Sequence, residues 1–152
     1  MNKDKILFIC GSLNQTTQMH KIANELSEYD VYFAPYYANG YGYIRVLSNA
    51  GLLDMTILGG QAKNRTLKYL RENNLNVDES GQKYNYDLIY TCSDLLIQKN
   101  IRNKKIILVQ EGMTDPENLG YYIVKKMRLP RWIASTSVTG LSYAYDKFCV
   151  AS

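Results

Sequence analysis

Lys5-Ile-Leu-Phe-Ile-Cys10-Gly11-Ser12-Leu-Asn-Gln-Thr16 is the stretch whose reading decides the fold. Ile6–Cys10 is a continuous apolar run, as expected of a strand buried on both faces. It breaks at Gly11 into a polar loop that lasts to Thr16. From Thr17 to Glu28 the apolar residues Met19, Ile22, Ala23 and Leu26 form one helical stripe. Thr16 or Thr17 is placed to cap that helix. Val31–Ala34 then reads as a second short strand. Strand, loop, helix, strand is a βαβ unit, for which parallel pairing is strongly favoured.

The pattern repeats outward from this unit. Pro35 opens a loop holding Tyr36, Tyr37, Gly40, Tyr41, Gly42 and Tyr43. The spacing predicts a short helix over 44–51, an ambiguous apolar run over 52–58 and a polar-faced helix over 61–74. Third and fourth buried strands are expected at Tyr86–Thr91 and Lys105–Val109. Asp115-Pro116-Glu117 is a helix start, with an N-cap, a proline at the first turn and an acid beside it. That helix should run to about Arg128. A last strand is expected at Phe148–Ala151. Strands alternating with helices imply an α/β, Rossmann-like three-layer sandwich around a mainly parallel sheet. The expectation is one domain over 1–152. Because Phe148–Ala151 reads as a core strand at the very end, this domain is expected to be the N-terminal half of a two-domain protein.

Composition agrees with a soluble globular chain: 152 residues, 46% apolar and 21% charged. The net charge of +4 comes from scattered lysines and arginines, without the concentrated basic stripe that nucleic acid requires. No nucleic-acid partner is expected. Cys10, Cys92 and Cys149 are odd in number and far apart, with no CxxC pair, so no metal site is expected. All three lie in or beside apolar runs, which suggests buried, reduced thiols and a cytoplasmic protein.

In open α/β sheets, ligands bind beyond the carboxyl ends of the strands. Three such ends are polar or acidic here: Gly11–Thr17, Cys92–Asp94 and Glu111–Asp115. The first loop lacks a P-loop lysine and the GxGxxG pattern, so it is no nucleotide fingerprint. Gly11, Ser12, Asn14, Gln15, Thr16 and Thr17 are instead candidates to hydrogen-bond sugar hydroxyls or a phosphate at a helix N-terminus. Gly112 and Thr114 join them from the fourth strand end. His20, the only histidine, is a candidate general base on an acceptor hydroxyl. Asp94 and Glu111 follow different strands and are candidates for an acid–base pair. The bland alternative is that these groups cap helices and fill the core. The tyrosines at 36, 37, 41 and 43 suit either sugar stacking or loop packing.

The run from Lys5 to Ser12, followed by Asn14-Gln-Thr-Thr-Gln-Met-His20, resembles the N-terminal domain of bacterial GT-B-type glycosyltransferases and of the related UDP-N-acetylglucosamine 2-epimerases. Tyr86-Asp-Leu-Ile-Tyr-Thr-Cys-Ser-Asp94 is similar to the epimerase strand ending in Gly-Asp-Thr. Ile107-Leu-Val-Gln-Glu-Gly112 is similar to the epimerase run His-Val-Glu-Ala-Gly. Asp146–Ser152 looks like the strand that closes the first domain. The resemblance implies that Asp94 and Glu111 fall on acidic active-site positions. Ser93 and Leu95 depart from the epimerase pattern, as does the absence of an arginine after Met113, so a transferase is the first expectation and a UDP-N-acetylglucosamine 2-epimerase-like enzyme the alternative. A nucleotide-sugar donor, most simply a UDP-sugar, would bind a C-terminal domain. This chain would bind no cofactor and would hold a sugar or lipid-linked acceptor, with surface polysaccharide or glycan as product. A homodimer and a peripheral attachment to the inner membrane face are compatible with that reading. A flavodoxin-like, non-enzymatic binding domain is the further alternative.

Overall fold

The computed structural model describes residues 3–37, 60–94, 96–110, 119–128 and 144–150, together with Gly42 and Val46. In chain order the elements are β1 (Lys5–Ile9), α1 (Leu13–Asn24), β2 (Asp30–Ala34), α2 (Gly60–Glu72), β3 (Leu88–Thr91), a 3-10 turn (Lys99–Ile101), β4 (Lys105–Val109), α3 (Leu119–Met127) and β5 (Lys147–Cys149). The five strands form one sheet in the order β2-β1-β3-β4-β5, and every ladder is parallel. This is an α/β, Rossmann-like fold. The expectations for 44–58, apart from Val46, and for the helix start at Asp115 lie outside the described residues.

A sixth rung extends the sheet. Val77 bridges Phe33 in parallel on the outer edge of β2. The Phe33 N–H donates to Asn76 O at 2.8 Å, and the Asp78 N–H donates to Phe33 O at 2.9 Å. Counting this one-residue strand, which follows α2, the order becomes the doubly wound 3-2-1-4-5-6 arrangement.

Both sheet faces are covered. On one, Ile6, Phe8, Cys10, Phe33, Cys92 and Val109 pack with Met19 of α1 and Leu70 of α2. Phe8 is the centre of this face. It stacks on Phe33 at 5.4 Å and on Tyr90 at 4.7 Å, its partners in the same rung of β2 and β3. Ring pairs of this kind contribute about 0.5–1.5 kcal/mol each beyond the area they bury. On the other face, Leu7, Ile9, Ala34, Ile89 and Ile106 pack with Tyr37, Tyr86, Ile97 and Ile101. Successive residues of β1 therefore serve opposite faces and are buried on both, which is why the run carries no alternation.

Three strand starts share one dipeptide. Tyr-Asp occurs at Tyr29-Asp30, Tyr86-Asp87 and Tyr145-Asp146, at the entry to β2, β3 and β5. Asp87 donates its N–H to Lys5 O at 2.8 Å and accepts the Lys5 N–H on Oδ2 at 2.9 Å. Asp146 does the same with Ile106, at 2.8 Å and 2.7 Å. Asp87 and Asp146 thus close the ladder with their side chains where the neighbouring strand begins.

Four expectations are corrected. First, α1 starts at Leu13 rather than Thr17, because Ser12 and not a threonine is the cap. The Ser12 Oγ accepts the Gln15 N–H at 3.2 Å, and Gln15 Oε1 accepts the Ser12 N–H at 3.1 Å. This reciprocal capping box satisfies two helix-end donors at once. Second, β3 begins at Leu88 and not at Tyr86, whose hydroxyl is drawn away to Asp78 at 2.7 Å. Third, the last strand is Lys147–Cys149, and it lies at the sheet edge rather than in the core: Lys147 and Cys149 are exposed and Val150 is 64% exposed. Fourth, and for that reason, Cys149 is exposed, whereas Cys10 and Cys92 are buried as expected. The helix expected over 61–74 holds closely. It ends where Asn74 adopts φ 54° and the Leu75 N–H reaches back to Leu70 O at 3.0 Å, a left-handed closure that asparagine tolerates.

Candidate binding cleft at the strand ends

β1 is flanked by β2 on one side and β3 on the other, and the chain leaves it in one direction and returns in the other. A crevice opens beyond the carboxyl ends of strands at such a switch point. Ile9 and Thr91 are register partners there, so Cys10-Gly11-Ser12 and Cys92-Ser93-Asp94 leave the sheet side by side. The predicted loop and the predicted acidic end are thereby brought to one place. Glu111, Gly112 and Thr114, together with Tyr41 and Tyr43, lie outside the described residues.

Gly11 is required by packing. A Cβ on this residue would overlap the edge of the Tyr37 ring at Cε2 and lie 2.8 Å from Gln15 Oε1. The Tyr37 hydroxyl donates to Gln15 Oε1 at 3.0 Å. Gln15 is buried and its carbonyl oxygen serves both Tyr37 and the helix cap. Tyr36 and Tyr37 are themselves in the interior, 5% and 2% exposed.

The hydroxyls of the first turn face in different directions. Thr16 is fully buried. Its Oγ1 donates to Ser12 O at 2.6 Å and lies 3.4 Å from Thr66 Oγ1 of α2. It also touches the Cys10 thiol, which burial pushes up to about 12 against the smaller lowering effect of that contact. Cys10 is therefore a core group and no nucleophile. The Thr17 Oγ1 donates to Asn14 O at 2.8 Å. Asn14 is exposed, and Ser12 is half-buried at the crevice. Further along α1, Gln18 Nε2 reaches Gln110 O, at the end of β4, at 3.4 Å.

His20 is placed on the flank between the helices, two turns from the cap. Its Nδ1 is 2.9 Å from the Tyr69 hydroxyl of α2, and its ring meets Phe33 edge-on. Asp94 is fully buried at the far end of the β3 exit. The exit itself is closed by Thr91, whose Oγ1 donates to Ser93 O at 2.8 Å and accepts the Ser93 N–H at 3.3 Å. The side-chain hydroxyl takes over the pairing that the ladder gives up, and the chain turns.

Two organising residues were not legible in advance. Asp78 accepts from the Ser80 N–H and hydroxyl, the Gly81 N–H, the Lys83 N–H at 2.7 Å and the Tyr86 hydroxyl at 2.7 Å. Burial raises its pKa, but the hydrogen bonds from Tyr86, Lys83 and Ser80 outweigh that and hold the carboxyl below its usual value. Gln98, fully buried, donates from Nε2 to Tyr36 O at 2.9 Å and ties the segment after β3 to the end of β2. The Asp78-Glu-Ser-Gly81 spacing is a turn signal that could have found the first. Nothing local marks the second. Among the described residues, no three His, Cys, Asp or Glu side chains are grouped to hold a metal ion, and no helix is long and apolar enough to cross a membrane. Comparison of the chain with protein-family models, with curated proteins and with solved structures returns no match.

Proposed function

We propose that the chain is the acceptor-side domain of a nucleotide-sugar-dependent glycosyltransferase, acting on a sugar or lipid-linked acceptor at the inner face of a membrane. One observation carries the reading: the Gly11–Asn14 helix entry and the Thr91–Asp94 exit leave neighbouring strands at the sheet's switch point. The capping box occupies the N–H groups of Ser12 and Gln15, which leaves those of Leu13 and Asn14 to meet an acceptor oxygen or phosphate at the positive helix end. Asp94 ends the facing exit with its side chain buried, and acts as a positioning residue for that wall of the cleft. In this reading the donor binds a second domain, and this chain supplies orientation rather than leaving-group chemistry. His20 acts through its bond to Tyr69 in fixing α1 against α2.

The test is turnover of nucleotide-sugars by the polypeptide that includes a donor-binding domain, with Asp94→Asn alongside. Transfer or donor hydrolysis, reduced at least tenfold in the variant, is expected. Absence of turnover together with absence of donor binding by calorimetry overturns the proposal. A second reading, a flavodoxin-like binding domain, is favoured by the order of the five ladder strands. Its signature is binding of flavin mononucleotide or inorganic phosphate by this chain alone.

A further inference from the structure

α3 carries two apolar faces. Tyr121 and Val124 point inward and are 5% and 4% exposed. Leu119, Ile123 and Met127 follow at i, i+4 and i+8, with Tyr122 beside Ile123, on the side of the helix away from that pair. They are 78%, 42%, 65% and 57% exposed. Elsewhere among the described residues, large exposed apolar side chains are few. A second stripe of this size on a nine-residue helix marks a contact surface.

The charge of the segment says what the contact is with. Lys125, Lys126 and Arg128 fall within or directly after α3, and no acidic residue occurs from Leu119 to Arg128. Lys126 projects within the exposed arc, between Tyr122 and Ile123 in helical angle. Lys125 lies over the Tyr121 ring at 5.1 Å and donates to its hydroxyl at 3.1 Å, which holds this cation at the border of the two faces. A surface that is apolar and anionic at once satisfies both features. We infer that α3 is an interfacial helix that docks the chain on an anionic lipid bilayer. Leu119, Tyr122, Ile123 and Met127 enter the headgroup–acyl boundary, and Lys126 and Arg128 extend along it to the lipid phosphates. Tyrosine suits this depth because its ring is apolar and its hydroxyl is wet. The inference rests on α3 alone and stands whether or not the chain serves a glycosyltransferase.

The experiment is co-sedimentation of the whole chain with vesicles of phosphatidylcholine alone and of phosphatidylcholine with phosphatidylglycerol, at low and high salt. Binding should require phosphatidylglycerol and fall as salt rises. Lys126→Gln combined with Arg128→Gln should lower the partition coefficient roughly tenfold or more, from the loss of two surface cations. Tyr122→Ser combined with Met127→Ser should weaken it at least as far, with an unchanged circular dichroism spectrum, since the replaced side chains are exposed. The inference is overturned if neither vesicle binds, if both bind equally, or if either paired variant binds like the parent. It is equally overturned if the chain forms a concentration-dependent dimer that Tyr122→Ser with Met127→Ser disperses, because the face is then a self-interface.

Discussion

The ring of Tyr37, at the end of β2, lies against the Cα of Gly11, at the end of β1, and its hydroxyl donates to Gln15 Oε1 at 3.0 Å. One aromatic side chain thereby fixes both the loop that opens the cleft and the first turn of α1. Gly11→Ala should destabilise the fold by about 1–3 kcal/mol or more, because the added methyl meets a ring that is itself packed in the core. In a Tyr37→Leu background the same change should cost less. Chemical denaturation of the two single variants and the double variant measures the coupling, and strict additivity would refute the contact.

The cap at Ser12 is reciprocal. Ser12→Ala should cost about 1 kcal/mol, and Gln15→Ala somewhat more, since Gln15 also accepts from Tyr37. The double variant should lose less than the sum, as either change already breaks the box. Thr17→Ala, at one of the two threonines expected to cap, should change the melting temperature little.

Asp78 gives the fold an acid-sensitive joint. Its pKa in the folded state lies below its unfolded value, so its contribution is fully present above about pH 4, the ordinary aspartate value. It is lost as pH falls through the lower folded value. Asp78→Asn should cost about 2–4 kcal/mol at pH 7 through the loss of a buried acceptor for several donors. The difference between variant and parent should shrink as the solution is acidified below pH 4. A difference that stays constant across that range would show that the carboxylate charge is not the stabilising element.

The thiols should separate by reactivity. Cys10, pushed up to about 12 by burial, and buried Cys92 should resist alkylation by iodoacetamide at pH 8, whereas exposed Cys149 should react. Peptide mass spectrometry before and after denaturation reads this directly. Prompt labelling of Cys10 in the native protein would contradict its placement behind Thr16.

The acidic strand end admits a direct test of the sequence resemblance. If Asp94 and Glu111 form the acid–base pair of a sugar-processing enzyme, Asp94→Asn and Glu111→Gln in the complete polypeptide should each lower kcat by about 100-fold or more with smaller effects on KM. Full activity in both variants would remove these residues from the chemistry. His20→Gln should mainly lower thermal stability, because His20 bonds Tyr69 between the helices.

What the amino-acid sequence determined by itself was the class of the fold and the positions of its strands. Ile6–Cys10 and Lys105–Val109 are apolar without alternation because both faces of a parallel sheet are covered, and that pattern is local. The glycine and the polar residues after β1 announced a helix entry for the same reason. The close of α2 at Asn74 was also local, since the left-handed residue belongs to the helix end itself. Tertiary structure decided the rest. Whether Ser12, Thr16 or Thr17 caps α1 depends on which partner Gln15 finds, and Tyr37 comes from another strand. Thr16 and Gln15 looked like ligands for a substrate because a hydroxyl or an amide in a loop sequence gives no sign of the interior partner that claims it. The edge position of β5 likewise followed from sheet order, since Phe148-Cys149-Val150 reads the same at the edge as at the centre. Neighbours distant in sequence set burial, and burial decides whether a polar side chain at a strand end holds the fold or faces the cleft.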